Sequence, residues 1–301
     1  MNQDTPKTKC GYVVIAGKPN AGKSTLVNLL LDANLSVVNP KAQTTRNKIL
    51  GVLTKENYQI VFLDTPGMLI PGNELHNYML LEIKSSLDEA DVILYLIDAA
   101  DFEIEEYKII EKKYKKYFSK LKRIILLNKI DLITQPLAEK YIEEIKKEFT
   151  CESIIPISAA NKFNTEKIIE ETVNLLPDAP YLYDEDTLTD RSERFFVEEI
   201  IRNKILEIYQ DEIPYSVYVD IREFKERAKG KDFINADIVL ERDSQKSILL
   251  GKDGKKIKRL GREARLEIEK LLDRQVFLQL FVRIKKDWRK DKNILKSLFN
   301  K

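Results

Sequence analysis

Two glycines, a lysine and a serine between residues 17 and 24 have a spacing that can bind a polyphosphate. An apolar run from Tyr12 to Ala16 precedes them and a helical pattern of leucines follows, which predicts strand, loop and helix. Glycines allow the loop N–H groups to point at phosphates, at the positive end of the helix dipole. Lys23 then reaches the β- and γ-phosphates, and Ser24 ligates the bridging Mg²⁺. The predicted nucleotide contacts of this loop are Gly17, Lys18, Pro19, Asn20, Ala21, Gly22, Lys23, Ser24 and Thr25.

Further candidates for phosphate chemistry lie around the next two predicted strands. Asp64 and Gly67 follow the strand from Tyr58 to Leu63, where a carboxylate can bind a water on Mg²⁺ and an N–H can meet the γ-phosphate. Between the first helix and the second strand, a threonine hydroxyl can ligate Mg²⁺ only while γ-phosphate is present, and we favour Thr45 over Thr44. The predicted catalytic residues are Lys23, Thr45, Asp64 and Gly67, and the predicted metal ligands are Ser24, Thr45 and Asp64.

Two nearby residues, Met68 and His76, are considered for a role in hydrolysis. Met68 stands where many small GTPases place a glutamine that orients the attacking water, so unassisted hydrolysis should be slow, at or below about 10⁻³ s⁻¹ on the scale of Ras. His76 is the single histidine of the chain, and we interpret it as a residue at the start of a helix rather than a catalytic base.

The segment Asn128-Lys129-Ile130-Asp131 predicts which base is bound. The Asp131 carboxylate can accept two hydrogen bonds, and guanine presents two donors where adenine has no such pair. Asn128 would brace the neighbouring loops, and the stem of Lys129 would lie along the base. Ser158 and Ala159 would offer a backbone N–H to the guanine oxygen. We therefore expect GTP and GDP as ligands, with Mg²⁺ as cofactor.

Composition and charge set the class of protein. The chain has 301 residues, 43% of them hydrophobic, which suits about two domains. It has no run of eighteen apolar residues, no basic–apolar leader and only two unrelated cysteines, Cys10 and Cys151, so we expect a cytoplasmic protein. Residues 251–301 carry 17 Lys and Arg against 7 Asp and Glu, a net charge of +10 that indicates a polyanionic partner or a solvated lysine-rich surface.

Apolar strands alternate with amphipathic helices as far as residue 175, which predicts an α/β domain with a largely parallel sheet covered on both faces. Ligands of such sheets bind at the carboxyl ends of the strands, where all the polar motifs above lie. Two prolines and five acids then indicate a linker. We place the first domain at residues 1–177, the linker at 178–191 and a second, α+β domain at 192–301.

The second domain contains a Gly-x-x-Gly loop between two predicted helices. Such loops contact the backbone of single-stranded nucleic acid in K homology domains, because glycines allow close approach to phosphates. Basic residues at the start of the following helix oppose its dipole, so their clustering suggests a role other than helix stability. A plain helix–turn–helix break is the alternative. The predicted RNA contacts are Gly251, Lys252, Asp253, Gly254, Lys255, Lys256, Lys258 and Arg259.

Nearly the whole chain resembles the Era family of bacterial GTPases. The resemblance rests on the phosphate loop, on Lys41 to Arg46, on Asp64 to Met68, on Thr189 to Ser192 with Glu199 to Arg202, and on Gly251 to Arg265. It implies a Ras-like P-loop GTPase domain followed by a type II K homology domain. The implied partner is the 3′ end of 16S ribosomal RNA during 30S subunit assembly.

The resemblance also implies a hydrophobic residue at the place of Met68, and an asparagine at the place of Asn20 that helps to bind K⁺ in related GTPases. Asp253 departs from the usual Gly-Lys-Gly-Gly loop and puts a carboxylate near the phosphates. The basic closing segment, Lys285 to Lys301, could add contacts to RNA or to an anionic membrane surface. A protein-effector switch at the inner face of the membrane is the alternative function, and we expect a monomer.

Overall fold

The computed structural model describes residues 8–39, 41, 44–68, 71–210 and 212–299. It divides the chain into two compact units, one formed by residues up to 71 and by 79–190, the other by 72–78 and 191 onward. Each unit is built on its own sheet.

Six strands form the sheet of the first unit, in the order β2-β3-β1-β4-β5-β6. Strand β2 is antiparallel to β3, and all other pairs are parallel, which confirms the predicted largely parallel sheet. Every residue of β4 is buried, as expected for a strand covered on both faces. The strands are β1 (Lys9–Gly17), β2 (Ile49–Lys55), β3 (Tyr58–Asp64), β4 (Val92–Asp98), β5 (Lys122–Asn128) and β6 (Ser153–Pro156).

Five helices alternate with these strands. Helix α4 begins at Gln135, because Pro136 fits the first turn of a helix, where no N–H partner is needed. The helices are α1 (Lys23–Leu31), α2 (Glu74–Glu89), α3 (Ile104–Phe118), α4 (Gln135–Glu148) and α5 (Thr165–Leu175).

The second unit has a three-stranded sheet in the order β7-β8-β9, with β7 antiparallel and β9 parallel to β8. The mixture of helices and strands agrees with the predicted α+β domain, and a helix lies on each side of the Gly-x-x-Gly loop as expected. The elements are α6 (Glu193–Ile208), β7 (Val217–Lys225), β8 (Asp232–Leu240), α7 (Asp243–Leu250), α8 (Lys255–Leu272), β9 (Val276–Ile284) and α9 (Lys292–Phe299).

One apolar cluster fills the interior of the second unit and fixes the position of α8. Leu260, Ala264 and Ile268 recur every four residues along this helix and are fully buried. Such spacing places them on one face, so the opposite, charged face lies toward solvent. Within the described ranges, no helix is both long and apolar enough to span a membrane.

Candidate functional site

The phosphate loop leaves β1 at Gly17 and enters α1 after Gly22, as the sequence predicts. Gly22 has a φ of 96°, and a Cβ there would lie 2.3 Å from Nδ2 of Asn128. A Cβ on Gly17, φ 152°, would lie 2.5 Å from the Leu96 carbonyl oxygen. Both positions therefore require glycine, because neighbouring strand ends pack directly against the loop backbone.

Lys23 is 6% exposed, and its ammonium donates to two carbonyl groups of the loop. Nζ donates to the Lys18 oxygen at 2.8 Å and to the Gly17 oxygen at 3.3 Å. Burial lowers the pKa of Lys23 to about 8, although the nearby Asp64 carboxylate raises it. The site thus contains a desolvated cation whose charge is only partly compensated.

An oxygen cluster lies beside this lysine. The Ser24 hydroxyl donates to Oδ2 of Asp64 at 2.9 Å and is 3.0 Å from the Thr45 hydroxyl. Asp64 is fully buried, and burial raises its pKa against the opposing effects of Ser36, Lys23, Ser24 and Thr45. Its Oδ1 has no hydrogen-bond donor among the described residues. Two hydroxyls and an unsatisfied carboxylate oxygen are the donors that Mg²⁺ prefers, so the residues fit this ion.

The two candidate threonines differ in position. Thr45, which the sequence favours, is buried and lies against Ser24, whereas Thr44 lines the cleft above. Ala42 and Gln43 of the same motif lie outside the described residues.

The segment after β3 packs closely on the phosphate loop. A Cβ on Gly67 would lie 2.8 Å from Cα of Pro19, so this position also excludes a side chain. The Met68 N–H donates to the Gly17 oxygen at 2.9 Å, and the Met68 side chain is 3% exposed and lies in the core. Met68 therefore contributes packing and no polar group toward the cleft.

His76 lies at the start of α2 and makes local contacts. Its Nδ1 accepts the Gly72 N–H at 3.0 Å, and its own N–H donates to the Asn73 side chain at 3.0 Å. These bonds agree with the interpretation of His76 as a residue that organises a helix start.

Asn128 joins three segments, as expected of a bracing residue. Its Nδ2 donates to the Ala21 oxygen at 2.8 Å, and its Oδ1 accepts the Ala159 N–H at 3.0 Å. Ser158 is buried beside it and its hydroxyl accepts the Asn161 N–H. Asp131 is exposed within the short helix Ile130–Leu132, where its carboxylate can accept hydrogen bonds from a ligand.

Two lysines of the predicted site are bound by carboxylates that sequence reasoning missed. The Lys129 amine lies 2.5 Å from Oδ2 of Asp98, at the end of β4. The Lys18 amine pairs with Glu106 and, at 3.3 Å, with Asp101. Asp98 could have been identified, since it is the polar residue that ends a buried strand at the same edge of the sheet. Nothing local in the sequence indicates Asp101 or Glu106.

A cleft of about 490 Å³ opens above these groups. It is lined by six of the nine predicted phosphate-loop residues, by three residues of the segments before β2 and after β3, by the predicted Lys129, and by four further residues that sequence reasoning did not identify. The lining residues are Pro19, Asn20, Gly22, Lys23, Ser24, Thr25, Val37, Val38, Asn39, Thr44, Thr45, Gly67, Met79 and Lys129.

The Gly-x-x-Gly loop of the second unit forms a short helical turn, Lys252–Gly254, between α7 and α8. Gly251, Asp253 and Gly254 all have positive φ, at 68°, 54° and 69°. A Cβ on Gly251 would lie 2.7 Å from Cγ of Lys256, whereas the space around Gly254 is open. The predicted basic residues at this loop are exposed, and Arg259 pairs with Glu263 at 2.7 Å.

The chain matches two family models in the expected order. Residues 12–129 match the model described as 50S ribosome-binding GTPase, and residues 212–289 match the KH domain model. Curated relatives include the GTPase Era of Thermoanaerobacter sp. strain X514, which is 39% identical with 96% of each chain covered. The GTPase Era of Lacticaseibacillus paracasei is 41% identical, with 96% of this chain and 95% of that protein covered.

Two solved structures resemble the fold over nearly its full length. A variant of Aquifex aeolicus Era bound to GDP·AlF₄⁻ superposes with a TM-score of 0.88 at 36% identity, covering 97% of this chain and 99% of that one. Era in complex with MgGDPNP and nucleotides 1506–1542 of 16S ribosomal RNA gives the same TM-score and identity, with 97% and 98% covered.

Replacing Lys23 by Met should stabilise the nucleotide-free protein at pH 7, because burial lowers the pKa of this ammonium from 10.5 to about 8. Folding with a charged amine then costs about 3 kcal/mol at this group. The cost is complete below pH 8 and disappears as the pH rises toward 10.5. Two hydrogen bonds are also lost in the variant. We therefore expect urea unfolding at pH 7 to give a free energy of unfolding about 2 kcal/mol higher for Lys23→Met than for the parent, and a smaller difference when the measurement is repeated at about pH 9.5.

The exposed Lys120 provides the control, since Lys120→Met removes the same charge from the surface of the same unit and should leave the unfolding free energy unchanged. A Lys23→Met variant that is less stable than the parent at pH 7, or a difference that is constant with pH, would contradict the assignment.

Proposed function

The chain belongs to the Era family of GTPases, and we propose that it uses guanine nucleotides to control its binding to the 3′ end of 16S ribosomal RNA during 30S subunit assembly. As a member of this family it is a GTP-hydrolysing enzyme. We further propose that it acts as a monomer in the cytoplasm.

One observation carries the nucleotide half of the proposal: the Ser24, Thr45 and Asp64 oxygens meet beside the buried Lys23 ammonium. Lys23 would contact the β- and γ-phosphates, and the oxygen cluster would bind Mg²⁺ directly or through water. A solved relative contains MgGDPNP, which supports the same ligands here.

The switch would depend on groups that can reach the γ-phosphate. Thr45 lies on the segment before β2, and the Gly67 N–H lies on the segment after β3, each beside the phosphate loop. When the γ-phosphate leaves, both segments lose a ligand, so their positions become nucleotide-dependent. Because Met68 offers no polar group toward the cleft, the unassisted reaction should be slow.

Base selection would fall to Asp131, whose exposed carboxylate can accept both guanine donors. Asn128 fixes the distance between the base site and the phosphate loop, because it bonds to Ala21 on one side and Ala159 on the other. In the structure the Ala159 N–H donates to Asn128 and the Ser158 N–H donates to the Phe163 oxygen at 3.4 Å, so the guanine oxygen would share one of these donors.

The Gly-x-x-Gly loop would bind the RNA backbone. Its open face at Gly254 allows phosphates to approach, and Lys252, Lys255 and Lys258 are exposed around it. The relative that was solved with nucleotides 1506–1542 of 16S ribosomal RNA supports this choice of RNA. No comparable observation favours the membrane-surface alternative.

Replacing Asp131 by Asn should weaken GTP and GDP binding by at least about 100-fold, since two charge-assisted hydrogen bonds of about 1.5–3 kcal/mol each are lost. The amide should instead favour xanthine, whose carbonyl replaces the guanine amine and can accept the new N–H donor. Competition between guanosine and xanthosine diphosphates measures both effects. The exposed Asp186→Asn change provides the control, and unchanged guanine preference in the Asp131 variant would exclude the proposed base contact.

RNA corresponding to nucleotides 1506–1542 should bind more tightly with a non-hydrolysable GTP analogue than with GDP. A coupling of about 1–3 kcal/mol, the usual range, corresponds to a ratio of about 5–150 in dissociation constant. Fluorescence anisotropy of labelled RNA at fixed salt measures this ratio. Equal affinities in the two nucleotide states would leave RNA binding intact but remove its control by GTP.

The double variant Lys252→Gln, Lys255→Gln separates RNA contact from nucleotide binding in the same assay. It should lower RNA affinity and reduce the salt slope by about 1.4, while GDP affinity stays unchanged. Lys120→Gln with Lys147→Gln removes two exposed charges from the first unit and should change neither quantity. Binding to anionic vesicles is measured in parallel. If the Lys252→Gln, Lys255→Gln variant lost vesicle binding but kept its RNA affinity, the result would support the membrane alternative.

Turnover should fall when K⁺ is replaced by Na⁺ if Asn20, exposed with a φ of 64° in the phosphate loop, helps to bind a monovalent cation. The Asn20→Ala variant should then hydrolyse GTP equally in both salts, whereas Asn57→Ala, in the β2–β3 turn, should retain the difference. Identical rates for the parent protein in the two salts would remove K⁺ from the proposal.

A further inference from the structure

A basic loop joins β7 to β8 and has no role in the site described above. Residues 225–231 comprise four cations, one acid, one alanine and one glycine, all of them exposed. The single acid, Glu226, is paired with Arg274 at 3.4 Å, and Lys225 pairs with Glu223. Within the described chain no carboxylate pairs with Lys229 or Lys231. The tip of the loop therefore presents uncompensated positive charge.

An aromatic pair lies at the base of this loop. The sheet register places Lys225 opposite Phe233 and Phe233 opposite Phe277, so the three residues form one row across the sheet. The two rings stack at 6.0 Å with an angle of 18°, and Phe277 remains 50% exposed. The Arg227 guanidinium lies 5.8 Å from the Phe233 ring centre. An exposed ring beside cations is the arrangement on which unpaired bases stack.

The row is fixed in place by buried polar contacts. Asp232 is buried, and its Oδ1 accepts the Arg227 N–H at 2.9 Å. Its own N–H donates to the Gln275 oxygen at 2.9 Å, and Oδ2 lies 3.1 Å from the Arg274 guanidinium. These contacts tie the base of the loop to the turn between α8 and β9, and so they hold the backbone next to Phe233 and Phe277.

We propose that the β7–β8 loop and the row Lys225, Phe233 and Phe277 form a second binding site for unpaired RNA, separate from the Gly-x-x-Gly loop. Phe277 stacks a base, and Lys229 and Lys231 contact the phosphates beside it. The inference rests on the proposed function, since it assumes that the second unit binds RNA.

The two sites lie at opposite ends of α8. The Gly-x-x-Gly loop precedes its first residue, and the aromatic row borders the turn after its last, so the helix separates them by about 27 Å. A Gly-x-x-Gly loop accommodates about four nucleotides, which is too short a strand to reach both. RNA length therefore distinguishes a second site from a general charge effect.

Affinity for a short and a long single strand tests the inference with the full-length protein. The probes are an oligonucleotide of about five nucleotides and one of about fifteen, both taken from the 3′ end of 16S ribosomal RNA. Lys229→Gln with Lys231→Gln should leave short-strand affinity unchanged and lower the salt slope of the long strand by about 1.4. Phe277→Leu, which keeps an apolar side chain in the sheet, should weaken the long strand roughly tenfold with an unchanged salt slope.

The Lys120→Gln, Lys147→Gln variant is the matched charge control, and it should bind both strands as the parent does. Equal losses on the short and long strands, or no loss on either, would overturn the second site. If the loop variants lost binding to anionic vesicles but retained the long-strand affinity, the surface would be a lipid contact and the inference would be wrong. If the parent bound neither strand, and Lys252→Gln with Lys255→Gln had no effect, the proposed RNA function itself would fail.

Discussion

Two opposite charges buried below one cleft set the character of the first unit. The Lys23 ammonium has lost its water, and one oxygen of the equally buried Asp64 has no donor among the described residues. Neither charge compensates the other fully, because the pKa of Lys23 remains low and that of Asp64 remains high. A polyphosphate with its divalent cation supplies the missing partners of both groups at once. The fold therefore tolerates an unfavourable arrangement that such a ligand relieves.

This arrangement could be predicted from the sequence because the topology of a parallel sheet brings distant motifs to one edge. Ser24 follows β1 and Asp64 ends β3, and the pairing of those strands brings the two residues within hydrogen-bond distance. The bracing role of Asn128 is predictable for the same reason. The partner of Lys129 is predictable in the same way, because Asp98 ends a buried strand at that edge. The ion pairs of Lys18 could not be predicted, since they depend on the rotamer of a long side chain and on Asp101 and Glu106, which nothing local in the sequence singles out.

The backbone conformation at Asp253 explains why an acid can stand in this loop in place of the usual glycine. On charge alone, this carboxylate is unfavourable in a loop that approaches phosphates. In the structure the residue has a φ of 54°, between two glycines that also have positive φ. Asp is among the few residues that adopt this conformation readily, so the position permits an acid for steric reasons. Its exposed side chain can turn toward solvent, and the surrounding lysines keep the loop positive.

Helix α8 carries a cationic first turn that its own dipole disfavours, at roughly 0.3–1 kcal/mol for each charge. Packing compensates for this cost. Leu260, Ala264, Ile268 and Leu272 bury one face of the helix, and a single fully buried leucine is worth about 1.5–3 kcal/mol. The Arg259–Glu263 pair lies on the exposed side, where water screens it. Because the apolar face holds the helix in place, its first turn can carry charges that suit an anionic ligand. At the other end of α8, buried contacts likewise hold the backbone while the binding groups stay exposed. Buried Asp232 fixes the chain there, and Phe277, Lys229 and Lys231 remain exposed.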